Sequence, residues 1–311
     1  MRKITLWVWC MLLLALALSG LTACQSTQAP GANTNTKLSV IATTTQLEDV
    51  TRVIAGDRIT VIGLVPRNGD PHAFEPTPDN VKQVAQSAAV FINGAGLEGW
   101  LEELVQHAGG ERPIFDTSKG LTLGKIDAAY AEGGDVDPHI WMDPINMLTV
   151  VDNIAAGLKQ IDPADANTFT ANADAYKTQL KELDAWAQKQ LAAIPPERRK
   201  LVTAHDAMGY FATRYQFKIV GTVIPSASTE AAETSAKDLG KLVEVIRQEG
   251  VPAIFAEASS NPKFIEQVGA EAKVKVVTDL YIDSLGDKGG EAGTYLDFIR
   301  TDVMKIVNAL K

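Results

Sequence analysis

Only four histidines occur in the 311 residues, so each can be weighed in turn as a ligand or a base. Two of them follow the same dipeptide, in Asp70-Pro71-His72 and Asp137-Pro138-His139. Proline fixes its own φ and confines the residue before it to extended backbone, so each imidazole is carried on a stiff loop. A stiff loop suits a metal ligand, whose position must hold within ~0.2 Å. His205 closes the apolar run Leu201-Val202-Thr203-Ala204. That is the end of a predicted strand, where open sheets bind their ligands. His107 stands in the last turn of a predicted helix before Gly109-Gly110. The helix dipole alone favours a histidine there, and no ligand role is expected of it.

The cysteines narrow the chemistry further. Both Cys10 and Cys24 lie in an N-terminal segment where Arg2 and Lys3 precede an apolar run over 6–18 and then Leu21-Thr22-Ala23-Cys24. This arrangement resembles a bacterial lipoprotein signal peptide, and the run is shorter than the ~20 residues a membrane-spanning helix needs. The resemblance implies loss of residues 1–23, acylation of Cys24 and a protein tethered outside the cytoplasmic membrane, in a periplasm or at a cell surface. No disulfide, thiolate zinc site or cysteine nucleophile would remain. Residues 24–37 lack large apolar side chains and read as a flexible stalk. Lys plus Arg is 29 against 38 Asp plus Glu, a formal charge of −9. An acidic chain without a dense basic run carries no footprint for nucleic acid.

From residue 38 onward, short apolar runs alternate with helical ones, the pattern of parallel sheets covered by helices. Strands are predicted at 38–45, 59–65, 89–93 and 113–115. Helices are predicted at 47–55 ending at Gly56, after Thr77-Pro78, and at 97–108. A long helix is predicted over 164–193, with Phe169, Tyr176, Leu180, Leu183, Trp186 (or Ala187) and Leu191 at three- and four-residue steps and no internal Gly or Pro. The alternation then resumes with strands at 200–205, 217–223, 253–257 and 274–279. Helices near 206–215, 235–249, 262–272 and 294–310 separate and close them. The expected organisation is an N-terminal βα lobe over 38–162, a rigid linking helix over 163–196 and a C-terminal βα lobe over 197–311, with a ligand cleft where two sets of strand ends face each other.

With these elements in place, four motifs occur in order. They are Gly69-Asp70-Pro71-His72 followed by Glu75-Pro76-Thr77-Pro78-Asp79, then Asp137-Pro138-His139-Ile140-Trp141-Met142-Asp143-Pro144. Next come Thr203-Ala204-His205-Asp206-Ala207-Met208-Gly209-Tyr210-Phe211 and Tyr281-Ile282-Asp283-Ser284-Leu285-Gly286. Together they resemble the metal-binding receptor lipoproteins of zinc and manganese ABC importers, the cluster A-I periplasmic-binding proteins. The resemblance covers 38–311. It implies two βα lobes joined by one long helix, and one divalent ion in the cleft held by His72, His139, His205 and Asp283. Asp279, at a strand end, is the rival for the last place, and the Asp-Ser-Leu-Gly context favours Asp283.

Three neutral imidazoles and one carboxylate suit tetrahedral Zn(II), with Mn(II) the second candidate. Manganese receptors of the resembling family commonly carry a glutamate where this chain has His205, which points the same way. Against zinc, many zinc receptors of that family have a histidine-rich loop before the second motif, whereas 124–136 here holds only Asp127, Glu132 and Asp135 as ligand types. Asp70, Asp137, Asp143, Asp206 and Glu257 are candidates to orient the imidazoles or to cap loops. The expected protein is a monomeric, non-enzymatic receptor that hands its ion to an ABC permease and its ATPase subunit. Two other readings remain open: a zinc hydrolase with Glu257 as base, disfavoured by a fourth protein ligand and by the lack of a His-Glu-x-x-His motif, and a metal-stabilised adhesin.

Overall fold

The computed structural model describes residues 37–126, 136–224, 235–258 and 262–311. The signal segment with Cys24, the stalk up to residue 36, and Asp127, Glu132 and Asp135 lie outside the described residues. Strands β1 (Ser39–Ala42), β2 (Thr60–Gly63), β3 (Ala89–Ile92) and β4 (Ile114–Asp116) form one parallel sheet in the order β2-β1-β3-β4. Helices α1 (Thr45–Ala55), α2 (Pro78–Gln86) and α3 (Leu101–Ala108) connect them. Each stops or starts where the local chemistry dictates. Thr44 accepts from Leu47 N at the start of α1, and Gly56, at φ 58°, ends it. Thr77 and Asn80 form a reciprocal capping box on α2 with Pro78 inside the first turn.

Helix α4 (Asn146–Ile161) was not expected from the sequence. Its Ile145 cap offers no side-chain oxygen to announce it, although Met147, Val150, Val151, Ile154 and Leu158 carry the three- and four-residue spacing of a buried face. Gly157 lets this helix lie on the sheet, since a Cβ there would stand 2.6 Å from Phe91 Cε1 and 2.9 Å from the Phe115 ring.

The long helix α5 runs Ala166–Leu191, and its first predicted residues form a separate 3-10 turn at Pro163–Asp165. Its 26 residues span ~39 Å, rather shorter than the predicted 164–193. One stripe, Phe169, Ala173, Tyr176, Leu180, Leu183, Ala187 and Leu191, is buried.

The second half repeats the plan. Strands β5 (Lys200–Thr203) and β6 (Lys218–Thr222) pair in parallel, as do β7 (Ala253–Glu257) and β8 (Lys275–Leu280), and β5 packs beside β7. Helices α6 (Gly209–Tyr215), α7 (Ala236–Glu249), α8 (Lys263–Ala272) and α9 (Tyr295–Leu310) complete the chain. In the first half β1 lies between β2 and β3, so the crossovers leave in opposite directions. The crevice at that switch is where such sheets bind ligands. The result is an α/β fold of two βα lobes with parallel sheets and one long connecting helix. That helix is not the sole bridge. α9, from the second half, packs against both α1 and α5, and its Phe298, Val303 and Ile306 are fully buried. A separate core under α7 and α8 is built from Val202, Val243, Ile246, Ile254 and Val268 among others.

Candidate metal centre

Each candidate ligand follows a strand or a stiff loop and is held by backbone bonds. His72 lies in the loop after β2, where Asp70 Oδ1 accepts from His72 N at 2.8 Å and Trp100 Nε1 donates to Pro71 O at 2.9 Å. His139 opens a short 3-10 turn (Ile140–Met142), and Asn93 Nδ2, just past β3, donates to Pro138 O at 2.9 Å. His205 stands just past β5, with Thr203 Oγ1 donating to its carbonyl at 2.7 Å. Asp283 lies in the loop after β8. Trp141 Nε1 donates to Ile282 O at 2.8 Å, and Leu285 N donates to Thr45 Oγ1 at 2.9 Å.

These loops bring four side chains to one point. Nε2 of His139 lies 3.2 Å from Nε2 of His72 and 3.2 Å from Nε2 of His205. Asp283 faces all three, with Oδ2 3.7 Å from His72 Nε2 and 3.3 Å from His205 Nε2, and Oδ1 3.6 Å from His139 Nε2. All four donors lie within 4.8 Å of one another. Bonds of ~2.0–2.1 Å to a tetrahedral zinc ion put its ligand atoms ~3.3 Å apart, close to the 3.2–3.3 Å that separates His139 Nε2 from His72 Nε2 and from His205 Nε2, and His205 Nε2 from Asp283 Oδ2. His139 and His205 are wholly buried and Asp283 is 2% exposed, while His72 alone is partly open. Neither Asp283 oxygen meets a donor in good hydrogen-bond geometry, and the His205 ring, 3.3 Å from Oδ2, is the nearest of the three imidazoles that face this buried carboxylate. Among the described residues, no other group of three such side chains comes together.

The whole described fold also matches a known family. Residues 40–309 fit ZnuA, the zinc-uptake complex component A, periplasmic. The chain belongs to this family. It is 34% identical over 296 residues to the manganese-binding lipoprotein MntA of Bacillus subtilis (strain 168), covering 94% of this chain and 95% of that one. It is 32% identical over 310 residues to the metal ABC transporter substrate-binding lipoprotein ScbA of Streptococcus cristatus, covering 96% and 97%. Among solved structures, TroA, studied for its metal-binding specificity, superposes with a TM-score of 0.80 at 30% identity, covering 88% of this chain and all of that one. A Mn-bound point mutant of the periplasmic metal-binding protein of Candidatus Liberibacter asiaticus superposes at 0.79 and 25% identity, with the same coverage. The ZnuA-family chain is thus a substrate-binding component of a metal ABC transporter, not an enzyme.

Within this ZnuA-family site, the electrostatics are set by two further carboxylates. Asp137 Oδ1 accepts from His139 Nδ1 at 2.8 Å and from its backbone N at 3.0 Å. Glu257, at the end of β7, lies 2.5 Å from His205 Nδ1 and is 2% exposed. Both imidazoles therefore direct Nε2 toward the cluster, because a carboxylate on Nδ1 fixes that tautomer. Burial lowers the pKa of His139 below the ordinary histidine value, despite Asp137. Burial also pushes His205 down, but Glu257 and Asp283 together outweigh it and hold the ring well above the ordinary value. Burial likewise works against the charge on Asp283, yet His205 and His72 keep its carboxyl well below the usual range.

Of the five carboxylates singled out from the sequence, Asp137 and Glu257 contact imidazoles. Asp70 caps the His72 loop instead, and Asp143 accepts from Ile145 N at 2.8 Å. Asp206 is buried. Asp279 is turned outward, with Oδ2 3.1 Å from Lys305 Nζ and its side chain 61% exposed, and His107 sits on α3, apart from the cluster. Sequence reasoning missed Asn93, just past β3, and Thr45, the first residue of α1, which hold the ligand loops. The strand-end rule is the signal that could have found Asn93.

Proposed function

We propose that this protein captures Zn(II) outside the cytoplasmic membrane and delivers it to an ABC permease driven by a separate ATPase subunit. The ion is its cargo, held by Nε2 of His72, His139 and His205 and by the Asp283 carboxylate. The observation that supports this reading is the convergence of three imidazole nitrogens and one buried carboxylate, whose donor atoms all lie within 4.8 Å of one another. Imidazole-rich donors and the intrinsic affinity order favour Zn(II) over Mn(II). Mn(II) is the second reading, favoured by the manganese-named relatives and by the two Asp283 oxygens, which both face the cluster and together would supply a fifth donor. The same reading makes residues 1–23 a signal peptide, Cys24 the lipid-bearing residue, 24–37 the stalk, 38–162 and 197–311 the two lobes about the linker 163–196, and the receptor a monomer.

Glu257 supports a receptor rather than a hydrolase, because its Oε1 is engaged by His205 Nδ1 where a general base would need to face a water. The deciding experiment is metal analysis of protein purified without chelators, followed by competition between Zn(II) and Mn(II). Zinc in the isolated protein that manganese fails to displace is the expected result. Displacement of zinc by equimolar manganese would overturn the choice of cargo.

A further inference from the structure

Helix α6 is fastened at both ends by groups outside its own lobe. It begins four residues after His205, so any constraint on it is passed directly to that ligand. At its start Tyr210 Oη donates to Asp137 O at 2.9 Å and accepts from Gly124 N at 2.9 Å. Gly209 lies so close that a Cβ there would stand 2.7 Å from Asp137 Oδ2. At its end Arg214 Nε donates to Asp184 Oδ1 on α5 at 2.9 Å and lies 3.7 Å from Asp143 Oδ1.

The partners chosen by Tyr210 matter more than their number. Asp137 is the carboxylate that orients His139 through Nδ1, and Asp137 N in turn donates to Gly124 O at 3.0 Å. One phenol hydroxyl therefore joins the base of the His139 loop to the segment that carries His205. The bond that fixes the other side of His205, to Glu257, comes from its own lobe and does nothing to hold it against His139. Val202, in the strand leading to His205, belongs to the separate core under α7 and α8, which has no first-lobe residue in it. Burial pushes the Tyr210 phenol up to about 12, so it stays a donor throughout the range in which imidazoles bind metal.

We propose that Tyr210 is a positioning residue: by joining Asp137 and Gly124 across the lobes, it holds His205 Nε2 at ligand distance from His139 Nε2 and so slows release of the bound ion. This role rests on the reading of His72, His139, His205 and Asp283 as the metal ligands.

Tyr210→Phe keeps the ring and removes both hydrogen bonds. Zn(II) release into excess chelator, followed by stopped flow, should then accelerate on the order of tenfold, as for other losses of ligand-orienting partners. The Co(II)-substituted variant should show a shifted and weakened d–d absorption, which a purely structural role would not produce. Asn153→Ala is the matched control. Its Nδ2 also donates two backbone bonds, to Thr117 O and Lys119 O, both at 2.9 Å, and its loss should lower the urea midpoint without changing the release rate. Equal acceleration in both variants, or an unchanged rate and Co(II) spectrum in Tyr210→Phe, would overturn the proposal. His205→Ala, run in parallel, separates the two claims. If it loses the ion while Tyr210→Phe releases at the wild-type rate, only the positioning role falls. If it holds the ion as the wild type does, the ligand assignment falls.

Discussion

Glu257→Gln isolates what a buried charge contributes to an imidazole that has to hold a metal. The amide oxygen of glutamine can still accept His205 Nδ1–H, so the ring keeps its orientation and only the charge is lost. Two effects of opposite sign follow. Without the carboxylate the ring is a weaker donor, and loss of such a partner costs ~10- to 100-fold in metal affinity, or ~1.4–2.8 kcal/mol. Against that, Glu257 is the leading charge that holds His205 protonated, and its removal lowers the folded-state pKa. Below the raised wild-type pKa an incoming ion must expel a proton from the wild type, and less so from the variant. The variant's deficit should therefore be largest in alkaline solution and shrink as pH falls. Competition of Zn(II) with a chromophoric chelator at about pH 6 and about pH 8.5, on either side of neutrality, measures both effects. A deficit that is independent of pH, or that grows toward acid, would refute the assignment of Glu257 as the charge partner of His205.

Alanine at His72, His139, His205 or Asp283 should weaken Zn(II) by more than the ~100-fold upper range for an orienting partner, while His107→Ala and Asp279→Ala leave calorimetric affinity unchanged; a loss at Asp279 equal to that at Asp283 would reverse the choice between them. At neutral pH, binding should release about one proton from His205, counted by calorimetry in buffers of different ionisation enthalpy, and binding without release would mean that the ring is already neutral. Gly157→Ala should cost ~1–3 kcal/mol in urea unfolding, because the added Cβ meets Phe91 and Phe115, yet leave zinc affinity intact; a neutral effect on stability would show that α4 can shift off the sheet.

What the sequence reveals depends on how far apart the cooperating residues are. The two Asp-Pro-His tripeptides carry their own stiffness, so His72 and His139 are legible locally. His205 is legible because a strand end is a local event, and the capped starts of α1 and α2 are legible for the same reason. Asp283 is different: only its motif context favours it over Asp279, whose outward-facing carboxylate pairs with Lys305, 26 residues further on. The distant partners of the site's braces are invisible to any local pattern. Tyr210 reaches a carbonyl 73 residues away, Asn93 one 45 away and Trp141 one 141 away. Helix α4 shows the converse, since its apolar spacing is present but no side chain caps its N-terminal end.

The C-terminal helix α9 sets an order of events for the growing chain. It supplies a wall of the larger core, and its Tyr295 spans the molecule: Oη donates to Trp141 O at 2.7 Å, and the backbone N donates to Asp49 Oδ2 at 2.8 Å. These partners are 154 and 246 residues away, and closing loops of that length costs chain entropy before the contacts return anything. The first lobe's sheet can pair as its strands appear, but Trp141, which braces the loop of Asp283, gains its own brace only when the final 16-residue helix docks. An unfinished or half-threaded chain therefore carries its histidines on separate, unbraced loops. On the proposed ligand set, a divalent ion met before that docking finds its four ligands unbraced.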